Sequence, residues 1–140
     1  MTAYRKMENK IALVTGGGGA IGGASAKLLA AEGGKIMVAD ERLEMAKKIA
    51  DEIEVSGGIA KAIKIDVSHH GQVKKAVEAT IAAFQELHVL VNVAAAVTPD
   101  APVEELSLEE WNKAFAVNLT GPFLMSKYSI PEIKKCGGGV

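Results

Sequence analysis

The apolar run Ile11-Ala12-Leu13-Val14 ends at Thr15 and opens into Gly16-Gly17-Gly18-Gly19-Ala20-Ile21-Gly22, and no other stretch restricts the fold as tightly. Four apolar residues suit a strand covered on both faces, and consecutive glycines let the backbone turn sharply and approach a ligand that a Cβ would repel. After the loop, Ala24, Leu28, Leu29 and Ala31 fall at helical spacing with no intervening Pro. The loop therefore delivers free amides onto a helix N-terminus, an anion site suited to a pyrophosphate. Taken alone, the same glycines also fit a flexible turn without a ligand. A P-loop is excluded, because Gly22 is followed by Gly23, Ala24 and Ser25 and not by Lys-Ser or Lys-Thr.

The next acidic residue narrows the choice. Lys35-Ile36-Met37-Val38-Ala39 reads as a second strand ending at Asp40, where a dinucleotide-binding unit places a carboxylate for the two hydroxyls of an adenosine ribose. That charge would repel a 2′-phosphate, so Asp40 argues for NAD, with NADP less favoured, while Arg42 argues mildly the other way. Asp40 also fits a helix N-cap, and the two roles are compatible.

From here the chain repeats a strand-then-helix unit roughly every 25 to 30 residues, the pattern of βαβ units and a parallel sheet. The first helix should end near Gly33-Gly34, and the second, about Leu43 to Val55, at Gly57-Gly58. Ile59 to Val67 gives a third strand. Asp66 sits at its carboxyl end, placed either to meet an adenine amino group or to cap the next helix together with Ser68. Ser68 to Phe84 reads as the third helix, with Val73, Ala76, Val77, Thr80 and Ile81 along one stripe. His69 and His70 lack a matching ligand cluster and read as solvated first-turn residues, so no metal is expected. His88 to Val93 forms the fourth strand, and the small residues Ala94-Ala95-Ala96 after it admit either a flat ligand or a tightly packed helix.

Composition excludes several classes. With 49% apolar residues and a net charge of −1, neither nucleic acid nor an anionic membrane is implied. The N-terminal Met1 to Lys6 is too polar for a secretory signal, and no apolar run approaches a membrane span. The single Cys136 fits a reducing, cytoplasmic setting and, with no His–acid constellation near it in sequence, reads as inert.

Beyond Pro99 to Pro102, Ser107-Leu108-Glu109-Glu110 is a capping-box pattern opening a helix through Trp111 and Phe115. Asn118 then precedes Leu119-Thr120-Gly121-Pro122, residues that predict a local break able to turn an Asn side chain or carbonyl inward. The helical pattern resumes through Phe123, Leu124, Tyr128 and Ile133 and stops at Gly137-Gly138-Gly139.

These residues resemble the N-terminal half of a short-chain dehydrogenase/reductase from Lys10 to Val140. Thr15, Gly16 and Gly22 match the family's Thr-Gly-x-x-x-Gly-x-Gly, with Ala20 at the middle glycine, and the spacing Gly16, Gly19, Gly22 also suits its extended branch. Asp66-Val67 resembles the family's adenine contact and Asp40 its ribose acceptor. Asn92-Val93-Ala94-Ala95 keeps only part of Asn-Asn-Ala-Gly, whereas Val117-Asn118-Leu119-Thr120-Gly121 looks like the non-extended branch. The resemblance implies a Rossmann-like α/β fold, a doubly wound parallel sheet of strand order 3-2-1-4, with residues 1–140 forming the NAD(P)-binding portion of a larger domain and stopping before a fifth strand. It implies cofactor contacts from Thr15, Gly16, Gly19, Ala20, Ile21, Gly22, Asp40, Asp66, Val67, Asn92 and Ala94, and a catalytic part for Asn118. It also implies hydride transfer with a small alcohol or ketone, and homo-oligomers joined through the helix from Asn118 to Lys135.

The family's Ser and Tyr-x-x-x-Lys are missing: Tyr4 is followed four positions later by Glu8 and Tyr128 by Glu132. An unperturbed tyrosine, with a pKa near ~10, is a poor base at neutral pH. This leaves two expectations, a cofactor-binding half of an oxidoreductase that is inactive by itself, or a nucleotide-binding module without catalysis. The apolar fourth strand is expected to be an unpaired edge prone to self-association.

Overall fold

The first strand, Ile11–Thr15 (β1), is buried along its whole length, as its apolar run requires. The computed structural model describes residues 6–140, so Tyr4 and Met1 to Arg5 lie outside the described residues. Side chains alternate across β1: Ala12 and Val14 enter one core layer, and Ile11 and Leu13 the other. A central strand covered on both faces by helices is the outcome of that pattern.

Helix α1 (Ala20–Ala31) follows the glycine loop, then β2 (Lys35–Asp40), α2 (Leu43–Val55), β3 (Ile59–Lys64), α3 (His70–Phe84) and β4 (Val89–Val91). All four strands are parallel in the order β3-β2-β1-β4. The register runs from Ile11 opposite Lys35 to Thr15 opposite Ala39, and from Ala12 opposite Val89 to Val14 opposite Val91. One face packs Ala26 and Ala30 of α1 and Ala46, Ile49, Ala50 and Ile53 of α2 against the sheet. The other packs Val73, Ala76 and Val77 of α3 with Met125 and Ile133 of the last helix. The result is the expected Rossmann-like, doubly wound architecture.

Several boundaries are tighter than the sequence pattern suggests. β3 stops at Lys64, not Val67, because Ile65 to Ser68 turn toward α3, and α3 begins at His70 rather than Ser68. β4 is reduced to Val89–Val91, since Val93 and Ala94 turn their amides onto the Thr15 hydroxyl. Its outer edge is not wholly unpaired. Leu90 N donates to Val140 O (2.9 Å) and Val140 N to His88 O (3.1 Å), one parallel rung on the side away from β1.

Helix α4 (Leu108–Phe115) starts with the expected capping box: Glu110 N donates to Ser107 Oγ (3.1 Å), and Glu110 Oε2 accepts from Ser107 N (3.3 Å). The predicted break is a π-helical turn over Ala116–Thr120, and α5 (Gly121–Lys135) continues from it with Pro122 in its first turn.

Candidate functional site

At Gly16 the chain leaves β1 with φ +61°, a conformation that costs an L side chain dearly and glycine little. Gly22 is also forced: a Cβ there would overlap the Gly16 carbonyl oxygen, so α1 and the loop touch backbone to backbone. Inside the loop Gly17 N donates to Ala39 O (2.9 Å), Gly18 N to Asp40 Oδ2 (3.0 Å) and Gly19 N to Gly16 O (3.1 Å). The first bond of the helix runs from Gly23 N to Gly19 O (2.8 Å). The amides of Ala20, Ile21 and Gly22 have no acceptor among the described hydrogen bonds, Gly19 caps with no side chain, and the first turn has no acid. Three free donors at the positive end of a helix form an anion receptor.

Asp40, only 5% exposed, closes the loop from the β2 side. Its Oδ2 accepts from Gly18 and its Oδ1 from Arg42 N (3.0 Å), while Arg42 Nε lies 3.7 Å from Oδ1 and its side chain is mostly exposed. Asp40 is therefore not the cap of α2. That position is Arg42, which caps with no side chain. Asp66 similarly stops short of capping α3, whose cap residue is His69. Its Oδ1 instead accepts from the Ser68 amide (2.9 Å) and hydroxyl (2.6 Å), an Asx turn that leaves Oδ2 open.

A cleft of about 580 Å³ lies over the carboxyl ends of the strands, where open α/β sheets bind ligands. Gly16, Gly19, Ala20, Ile21, Gly22, Asp40, Asp66, Val67 and Ala94 all line it, as do Arg42, Ala95 and Ala96. Thr15, Asn92 and Asn118 do not line it. Thr15 Oγ1 is buried, donates to Val91 O (3.4 Å) and accepts from Val93 N (3.1 Å) and Ala94 N (3.3 Å), lashing the end of β4 to the start of the loop. Asn92 is exposed. Asn118 pairs its whole side-chain amide with one residue: Nδ2 donates to Ala96 O (2.9 Å) and Oδ1 accepts from Ala96 N (2.8 Å). It props the Ala94–Ala96 wall from behind, and the π-helical turn puts its neighbour Val117 on the cleft. Lys113 and Val97 also line the cleft; only folding brings them there, and no local motif marks either.

A family model described as short chain dehydrogenase matches residues 10–140. The chain belongs to that family. It is 42% identical over 134 residues to a 2,5-dichloro-2,5-cyclohexadiene-1,4-diol dehydrogenase of Sphingobium indicum, covering 96% of this chain and 53% of the relative. A crystal structure of a 3-ketoacyl-ACP reductase from Sinorhizobium meliloti superposes with a TM-score of 0.90 at 37% identity, over 92% of this chain and 51% of that one. A metagenomic short-chain oxidoreductase crystallised with NADP gives a TM-score of 0.90 at 28% identity, over 95% of this chain and 60% of that one. The chain thus spans about half the length of the relatives it matches. The NADP in that last structure removes the ranking of NADP below NAD that Asp40 suggested.

His69 and His70 are both exposed at the start of α3, as expected, and His70 Nε2 also contacts the Tyr128 hydroxyl across α3 and α5. One other expectation for this short-chain dehydrogenase chain changes. Cys136 does have a His–acid constellation beside it, because Glu86 and His88, about fifty residues away in sequence, offer atoms within 4.8 Å of its sulfur and of each other. Elsewhere a shallow depression of about 700 Å³ between α1 and α2 carries the Lys27–Glu52 ion pair (3.0 Å), in which Lys27 holds the Glu52 carboxyl below its usual range. None of the residues lining it belongs to the glycine loop. Among the described residues no helix is long and apolar enough to cross a membrane.

Proposed function

We propose that this chain is the dinucleotide-binding half of an NAD(P)-dependent oxidoreductase acting on a secondary alcohol or ketone. The observation that carries the reading is the set of free amides at Ala20, Ile21 and Gly22 opening into the cleft, which fits a pyrophosphate. Gly16 and Gly19 allow the diphosphate to approach, Asp40 accepts from the adenosine ribose, and Asp66 with Val67 borders the adenine. When bound, the nicotinamide supplies hydride donor or acceptor chemistry at its C4. Ala94 to Ala96, held by Thr15 and Asn118, form a wall of small residues that would receive that ring. Asn118 acts here as a positioning residue, since both polar atoms of its side chain are engaged by Ala96.

The cofactor is NAD or NADP. Asp40 favours a free 2′-hydroxyl, and the exposed Arg42 guanidinium beside it offers a partner to a 2′-phosphate. Asp40→Asn keeps an acceptor for Gly18 and removes the charge, so NADH binding should weaken by about 1.5–3 kcal/mol, with less discrimination against NADPH. Titration of both nucleotides into wild type and variant checks this, and unchanged affinities for both would remove Asp40 from the ribose site.

A second reading, nucleotide binding without turnover, is favoured by one observation. Among the described residues no tyrosine lines the cleft, and Tyr128 contacts His70. The protein from its complete reading frame, given NAD or NADP and a panel of secondary alcohols, separates the two: reduced nucleotide formed supports the oxidoreductase, and binding with no turnover supports the module. Self-association belongs to the same proposal. Trp111, Phe115, Leu119 and Phe123 are exposed along the α4–α5 face, and a second copy of the chain is the proposed cover. Sedimentation showing only monomer at micromolar concentration would contradict it.

A further inference from the structure

At the end of the sheet opposite the cleft, His88 joins three segments of the chain. Its backbone N donates to Ile11 O (3.0 Å), its carbonyl accepts from Val140 N (3.1 Å), and its ring Nδ1 accepts from Ile11 N (3.2 Å). The side chain is only 7% exposed. An acceptor at Nδ1 fixes the neutral ring as the tautomer protonated at Nε2. Nε2 lies 3.8 Å from a Glu86 carboxylate oxygen, with Cys136 Sγ in the same cluster.

The tautomer disposes of two obvious roles for the Glu86–His88–Cys136 group. A metal-ligating histidine coordinates through a bare nitrogen and donates from the other, whereas here the inward nitrogen accepts and the outward one already carries a proton. That same proton prevents Nε2 from drawing one off the Cys136 thiol.

What remains is the ring's own titration. We propose that His88 is an acid-sensitive latch: a solvent proton taken up at Nδ1 sets N–H against the Ile11 N–H, ends that hydrogen bond and loosens the Ile11–His88–Val140 edge. The charged and titratable groups facing the ring are Lys10 ahead of β1, Glu86 ahead of β4 and Cys136 at the end of α5. Burial first, and Lys10 second, push the imidazole below its usual range, with Glu86 opposing. A histidine depressed in the folded state stabilises the fold above its unfolded pKa of ~6.5, and that contribution is lost as pH falls through the folded value. β1 runs from this edge into the glycine loop and β4 into the alanine wall, so the latch sits at the base of both strands that build the cleft.

The test is an imidazole ¹⁵N titration of the whole chain, with amide hydrogen exchange followed over the same pH range. His88 should show a bare Nδ1 at neutral pH and a midpoint below ~6.5. Below that midpoint, the Ile11 and Val140 amides should lose about tenfold in protection, corrected for intrinsic rates, for each unit by which the midpoint is depressed. The Gly17 and Lys35 amides, bonded to Ala39 O and Lys10 O, should keep theirs. His88→Asn, which retains an acceptor but does not titrate, should abolish the acid step. A protonated Nδ1 at neutral pH, a midpoint at or above the free value, or an unchanged acid step in His88→Asn would overturn the proposal. Should the variant not fold, the wild-type tautomer and midpoint decide alone.

Discussion

β1 and β4 are written in nearly the same alphabet, Ile-Ala-Leu-Val-Thr and Val-Leu-Val, yet β1 is buried throughout and β4 is half-buried along its length. The difference lies in their neighbours. β1 has a strand on each side and helices on each face, while β4 has β1 on one side and a single rung to Val140 on the other. The contrast extends to the helices. Ala46, Ile49, Ala50 and Ile53 of α2 are sealed against the sheet, whereas Phe123 is 61% exposed on α5. Apolar sequence states what a segment is able to bury, and the elements packed against it decide what is buried. The β1 half is sealed by its neighbours, and the β4–α5 half leaves apolar side chains exposed.

Substitutions in the two halves should therefore differ in cost. Gly22→Ala is expected to hurt most. Its methyl meets backbone at Gly16 and Gly17 and no flexible side chain, so a loss of about 3 kcal/mol is expected as a fall in urea midpoint at constant m. Thr15→Val keeps the shape but leaves the Val93 and Ala94 amides without their acceptor. It should cost roughly 1–3 kcal/mol, with exchange rising first at the end of β4. Gly71→Ala is the opposite case, a helical glycine in α3 whose added methyl meets only His69 ring atoms at 3.9 Å. A gain of about 0.5 kcal/mol is expected there. Equal losses at Gly22 and Gly71 would mean that the close approach of loop and helix is not what sets the cost.

Short-range features were legible in the sequence. The limits of α2, the capping box at Ser107 and the break around Asn118 follow from residues within one or two turns, and the spacing from Gly16 to Asp40 placed the cleft. Roles that depend on distant partners were not. Thr15, expected as a cofactor contact, also braces Val91, Val93 and Ala94, about eighty residues away. Asn118, expected in catalysis, also holds Ala96 across twenty-two residues, a tie the sequence did not show. Asp40 was weighed as a ribose acceptor or cap; beside the proposed ribose contact it binds Gly18 and so belongs to the loop itself, which the sequence did not show. His88, Glu86 and Cys136 carry no shared pattern because only folding brings the two ends of that segment together.

The central claim is that the glycine loop and the alanine wall form one nucleotide site. Amide chemical-shift mapping of the chain during titration with NADH, and separately with NADPH, tests it most directly. The account predicts the largest shifts at Ala20, Ile21 and Gly22 and at Ala94 to Val97, with Lys47, Asp51, Glu52 and Val55 on the outer face of α2 unmoved. Shifts confined to the depression between α1 and α2, or none at millimolar nucleotide, would contradict it.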